Sequence, residues 1–448
     1  MGLSLALEEQ GVPTIPVHTH VFARLARATS LAGGRPTIRN CYVPQPVVGA
    51  SVSELRGYIE GEDPILKRPF MQGVIDGLTQ PLTDEDLKGA TFERSTPRLL
   101  EPDTEDNLRQ LFIENRWTDY LPIILPTEER VERMLKGTSH AADKIVGRMR
   151  PTAFREFWEF DVEKIAVNAV MAGARPEYLP VILAMASSGI TARSSSTTSF
   201  AAISVVNGPI REELGMNSGI GAMGPYDLAN ATIGRAYGLL SQNMQGGSTP
   251  GETYMGSLGN WLGYTACFPE AEERSPWAPF HVDEGFKATD STVSVFFGGW
   301  YTQSGYGPRE TWKEKFIRCL TALEQFLPPL IVMDPLVARG FAELGFTKQS
   351  LIEWCAENAK LKARDYWDDM AIQTLIRPHA VAGVEPYATR WKADPDELIT
   401  IFRPEDISIV VTGGETQANF KMFGGRYAGR GPGTENRGKP TILIDDWR

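Results

Sequence analysis

The chain has 448 residues, 42% of them hydrophobic and 23% charged, with a formal net charge of −11. That length suits about two to three domains and a large core that needs no disulfide staples. The acidic balance excludes a sequence-general phosphate-backbone binder, which needs surplus Lys and Arg, and no stretch is long and apolar enough to span a membrane.

In chain order, "SLALEEQ" reads as helix turns ended by Gly11, "VPTIPVHT" as a short buried strand, and "HVFARLARATSLAGG" as a helix stopped at a Gly pair. This is α/β grammar that opens without a strand before its first helix. The residues leave two readings open: a fold that starts on a helix, or an upstream strand on another polypeptide. Residues 38–48, "IRNCYVPQPVV", suit an edge strand, because two prolines bar a central ladder position. Ser51 with Glu54 makes a capping-box pattern. The polar segment 80–108 reads as a linker or wrapping arm, with a soft boundary near residue 90.

Beyond it, "DVEKIAVNAVMAG" and "RPEYLPVILAMASSG" are expected to form a helix pair, "SFAAISVVNGP" a buried strand, and "DLANATIGRAYGLLSQNM" a helix capped by Asp227. Residues 246–263 are Gly-rich and read as a loop. "DSTVSVFFGGWY", "PPLIVMDP", "DISIVVTGG" and "KPTILIDD" read as strands. "TWKEKFIRCLTALEQFL", "LVARGFAELG" and "TKQSLIEWCAENAKLKARDYW" read as helices, and "GGRYAGRGPGTENRGKP" as a mobile or ligand-covering loop. The expected class is α/β: Rossmann-like layers, incomplete at the N-terminus, over 1–90, and a larger α/β or α+β domain over 91–448.

Four dispersed cysteines without a CxxC predict reduced thiols, and the lack of a basic n-region before an apolar core predicts a cytoplasmic protein. "GIGAMG" (219–224) spells GxGxxG, but the preceding strand ends eleven residues too early for a dinucleotide fingerprint. "VVTGGETQANF" offers a strand, the Gly413–Gly414 turn and an expected helix, a candidate carboxylate or phosphate cradle. His18 and His20 share a strand face and are a candidate metal pair. "TARSSSTTSF" reads as a polar turn with capping hydroxyls.

The densest candidate is "CFPEAEERSPWAPFHVDEGF" (267–286). A carboxyl partly desolvated beside an indole is raised in pKa and suits general-acid work. Glu270, Glu272 and His281 are therefore the catalytic candidates, with Cys267 beside them and Trp277 as a wall. Arg175 and Arg235 are expected to bind a substrate carboxylate, and Asn207 and Asn230 to orient it. The alternative is a solvated acidic loop anchored by Trp277.

The opening "LEEQGVPTIPVHTHVFARLARATSLAGGRPTIRNCYVPQPVVG" resembles the UGSC family of (seleno)proteins. "EKIAVNAVMAGARPEYLPVILA", "VVNGPI", "ANATIGRA", "CFPEAEERSPWAPFHVDEGF" and "DPLVARGFAELGFTKQSLIEW" also fit longer members. That family is named for a selenocysteine-Gly-Ser-Cys or Cys-Gly-Ser-Cys motif lying upstream of such a segment, and this chain contains neither. The resemblance implies thiol or selenol chemistry near a strand end, with the reactive pair on a small partner subunit. The resulting expectation is the large subunit of a hetero-oligomeric enzyme acting on a small polar molecule by thiol- or selenol-dependent redox or C–S/C–X chemistry, without nucleic acid or membrane. One alternative is a lyase or hydratase using the acidic loop, with a metal on His18/His20. The other is a non-catalytic scaffold subunit.

Overall fold

Two short apolar runs flanking one amphipathic helix build the N-terminal unit. β1 (Val17–Thr19) and β2 (Cys41–Val43) pair in parallel, joined through the helix Ala23–Ala32. The helix Gly2–Glu9 precedes them, and Leu5 packs against Gly33 at the end of the connecting helix. Ser51 and Glu54 do form a capping box at the start of the helix Val52–Glu60. A small core of Cys41, Val43 and Phe70, flanked by Ile15, Tyr58 and Val74, closes the unit. Arg39 pins the helix Asp84–Lys88 through Asp86 at 2.7 Å. Part of the expected 80–108 linker is therefore helical, and the helix Glu105–Glu114 takes a further part.

The computed structural model describes residues 2–88, 98–149, 158–195, 199–245, 248–260, 267–305, 308–427 and 441–448. The expected boundary near residue 90 and most of the Gly/Arg-rich tail lie outside these. No hydrogen bond or ion pair among the described residues joins 2–88 to the remainder. No described helix is long and apolar enough to cross a membrane.

The remainder supplies, in order, an antiparallel pair β3 (Ile145–Met149) and β4 (Trp158–Asp161), then β5 (Ala201–Asn207), β6 (Cys267–Pro269), β7 (Thr292–Gly305) and β8 (Pro329–Met333). A second antiparallel pair, β9 (Lys360–Lys362) with β10 (Leu398–Thr400), is followed by β11 (Ser408–Val411), β12 (Asn419–Tyr427) and β13 (Thr441–Leu443). The main sheet is mixed, in the order β11-β8-β12-β7-β5-β6, with β13 added to β7. The α/β class is as expected.

Side chains alternate across a strand, and here the alternation sorts three cores. Ile203, Val205, Phe268, Phe296, Val332, Val410 and Phe423 share one face. On the other face, Ala202, Val206, Val293 and Val295 meet the helices Val162–Ala172, Leu179–Ser187 and Leu228–Met244. Ile331, Met333, Ile409 and Met422 meet the helices Trp312–Thr321, Pro335–Glu343 and Lys348–Asn358.

Two expected elements differ. The helix begun at the Thr347 cap stops at Asn358, because Lys360–Lys362 leave it to pair with β10, and a new helix runs Ala363–Asp368. After Gly413–Gly414 the chain enters β12 rather than a helix, since Asn419–Tyr427 fills the gap between β7 and β8.

Candidate functional site

The acidic stretch closes the sheet. β6 and β11 are its outermost strands, and the residues after β6 tie them together. Glu270 N–H donates to the Val206 carbonyl at 3.0 Å, and Ala271 N–H to the Val411 carbonyl at 2.7 Å. Thr412 Oγ1 donates to the Pro269 carbonyl at 3.0 Å. The sheet is thus rolled, with "CFPEAEER" as its seam.

Glu270 sits inside the seam, 0% exposed. Its Oε2 accepts from Asn207 Nδ2 and Phe280 N–H, each at 2.7 Å, and its Oε1 from Val411 N–H at 3.3 Å. Burial pushes its carboxyl above the usual range, opposed by the Lys348 ammonium and by these donors. Glu272, at the margin, accepts from Asn207 Nδ2 at 3.0 Å and Gly208 N–H at 2.8 Å, and pairs with Arg211 Nε at 3.1 Å. Arg211 also reaches Glu273 at 2.6 Å, holding that carboxyl below its ordinary value, and the Glu270 carbonyl at 2.8 Å.

His281, on the short helix Phe280–Asp283, lies 3.9 Å from Glu272 through Nδ1. It is 0% exposed, and neither ring nitrogen has a hydrogen-bond partner among the described residues. Asn207 Oδ1 and Thr292 Oγ1 are likewise buried without a partner, and these two residues face each other across β5 and β7. A buried carboxyl raised by desolvation, an ionic margin and unpartnered buried polar atoms thus lie side by side.

The structure thus brings Glu270, Glu272, His281 and Asn207 together. It separates the others by engaging them elsewhere. Cys267 is fully buried, with its thiol pushed up to about 12, so it carries no thiolate at neutral pH. Trp277 packs on the second helical core and donates Nε1 to the Phe346 carbonyl, away from the carboxylates. Arg235 is held by the buried Asp119 at 2.9 Å. Asn230 holds the 217–222 turn through the carbonyls of Asn217 and Ala222. Arg175 is exposed beside Tyr178.

Gly413–Gly414 is not an anion cradle. Gly413 N–H donates to the Ser218 carbonyl at 3.0 Å, no helix follows, and Gly414 packs on Ile220. The two Gly-rich turns close on each other. Arg274 clamps both, donating to the Gly413 carbonyl at 2.6 Å and the Ser218 carbonyl at 2.7 Å. The residues 219–224 are turns, with no strand leading into them.

Sequence reasoning missed Arg211, Arg274 and Lys348. Their carboxylate or carbonyl partners lie tens of residues away. Only the position of Arg211 just past the "NGP" strand end hinted at its role.

In the N-terminal unit, His18 and His20 sit at the C-terminal end of β1, where ligands of parallel sheets gather. Burial lowers His18 to about 4, so it is neutral. Its Nε2, His20 Nδ1, Asn40 Oδ1 and Gln45 Oε1 are buried without partners among the described residues. Among the described residues no group of three or more His, Cys, Asp or Glu could hold a metal ion.

The strand edges here are unequal. Cys41 N–H bonds to the Pro16 carbonyl, so Cys41 and Val43 turn toward β1 while Tyr42 turns out. Tyr42 N–H is taken by the buried Asp63 at 2.7 Å. By the same register, His18 faces β2, and the N–H groups of Val17 and Thr19 face away from it. The outer edge of β2 is capped, and that of β1 has no strand beside it among the described residues.

This is an α/β protein with a βαβ unit in front of a rolled mixed sheet. Residues 3–61 match the model of the UGSC family, so the resemblance holds over that unit. No curated protein and no solved structure matches the chain.

Proposed function

We propose that this chain is the large subunit of a heteromeric enzyme performing thiol- or selenol-dependent redox or C–S/C–X chemistry on a small polar molecule, with the reactive pair carried by a small partner. The observation that carries the reading is the uncovered edge of β1 within the family-matched segment. A two-stranded parallel sheet is small for its class, and parallel strands are ordinarily buried among neighbours. A partner strand added there brings its thiol pair to the strand ends, beside His20 and Gln45. A second sulfur then resolves an adduct formed on the first. The four thiols of this chain support the reading from the other side: burial raises all of them, which disfavours the nucleophilic thiolate.

Affinity capture of the tagged chain from its native source should recover a small protein with a reactive thiol pair. Val17→Pro removes one edge N–H while leaving an edge strand that tolerates proline, and capture should fall at least ~10-fold. A chain that is stable and active alone would sink the reading.

A lyase or hydratase is the second reading, favoured by the buried Glu270, whose pKa is raised by desolvation, beside the unpartnered His281. Activity of the native complex that falls in both Glu272→Gln and His281→Ala but survives thiol alkylation would favour it. Full activity in both variants would point to a scaffold role for the seam.

A further inference from the structure

A cleft of about 860 Å³ opens beside the seam, between the short helix Phe280–Asp283, the start of the helix Lys348–Asn358, the 379–387 segment and the entry to β11. Its volume falls within the range of small-molecule sites. Its carboxylates and its two cations, Lys348 and Arg403, are engaged within the chain. Lys348 pairs with Asp283 at 2.6 Å, and Arg403 with both oxygens of Asp406 at 2.7 Å and with Glu405 at 3.2 Å. Glu385 accepts from the Thr389 N–H at 3.2 Å, and Glu284 has an interaction partner of its own. A charged ligand would therefore give up its hydration against a wall whose ions already answer one another, and nothing there would offset that loss.

The remaining wall is largely apolar, with the rings of Phe280 and Tyr387 and the aliphatic chains of Ile352, Val384 and Ile409. One polar atom in it is unmet. Ser408, the first residue of β11, lines the cleft and is 2% exposed, yet its Oγ has no hydrogen-bond partner among the described residues. A hydroxyl offers one donor and two acceptor sites, and buried without a partner it costs stability. Such a cost is characteristic of groups kept ready for a ligand.

We propose that this cleft binds a small neutral molecule, with a planar apolar body that packs on Phe280 and Tyr387 and a carboxamide or hydroxyl group that bonds to Ser408. A carboxamide suits the hydroxyl best, because its carbonyl accepts and its N–H donates. The site lies apart from the open edge of β1 and depends neither on a thiol partner nor on the chemistry of Glu270.

The test is a ligand-observed NMR titration of the full chain with benzamide, and with benzoate and benzylamine as charged comparators of the same shape. Benzamide should bind saturably, and both charged compounds at least ~10-fold more weakly. Ser408→Ala should weaken benzamide about fivefold, the scale of one neutral hydrogen bond. The thermal midpoint of the ligand-free Ser408→Ala variant should equal or exceed that of the parent, since the substitution removes an unmet polar atom. A hydroxyl with a structural role would instead lower that midpoint. The proposal is overturned by the absence of saturable benzamide binding, by benzoate or benzylamine binding as tightly, by unchanged affinity in Ser408→Ala, or by a lowered midpoint in that variant.

Discussion

Glu270 is a carboxyl raised by burial yet surrounded by donors. Its folded-state pKa lies above its unfolded value, so the folded chain holds the proton more tightly. The stability this provides is present below the ordinary carboxylate range and is lost as pH rises through the raised value. Glu270→Gln mimics the neutral form. Its stability relative to the parent should improve as pH rises from 4 to 8, as read by urea unfolding. Glu270→Ala removes the side-chain acceptor of the Phe280 and Val411 N–H groups and one of the two acceptors of Asn207 Nδ2, at a cost of ~3 kcal/mol or more. The thiols supply a further residue-scale prediction. Cys267 and Cys355, both buried with raised thiols, should resist iodoacetamide at pH 8 in the native chain and label only on unfolding, as read by mass spectrometry.

At the scale of elements, the roll of the sheet depends on how β5 hands over to the seam. Gly208 directly follows β5, with φ +83°, and donates its N–H to Glu272. A Cβ there would overlap the Asp290 carbonyl. Gly208→Ala should therefore cost ~2 kcal/mol or more, from backbone strain and the clash together. The loss should appear as a lower urea midpoint with unchanged slope. Helix starts at this scale were legible, because a cap is local: Ser51, Asp227 and Thr347 each accept from a backbone N–H three residues on. The end of the helix after Asn358 and the strand after Gly414 were not, because each is decided by a pairing partner distant in the chain.

At the scale of the whole molecule, residues 2–88 carry their own small core, and the rolled sheet carries three others. With no hydrogen bond or ion pair among the described residues between them, the two parts should unfold in separate calorimetric transitions, the smaller unit first. A single transition with equal van't Hoff and calorimetric enthalpies would refute this. Occupation of the β1 edge by a partner should raise the first transition and leave the second unmoved.

The acidic stretch shows where local and long-range information divide. Its composition alone marked Glu270, Glu272 and His281 as a group, since carboxylates and an imidazole so concentrated require unusual surroundings. Composition and periodicity likewise determined the α/β class, the strands β5, β7, β8, β11 and β13 and the caps at Ser51, Asp227 and Thr347, all of which depend on neighbours a few residues apart. Only the tertiary structure decided that this stretch is the seam of a rolled sheet, that Arg211 and Lys348 supply its countercharge, and that Arg235, Asn230 and Trp277 are occupied elsewhere. Burial and charge pairing are set by which distant segments meet, and that is a property of the closed fold rather than of any short run of residues.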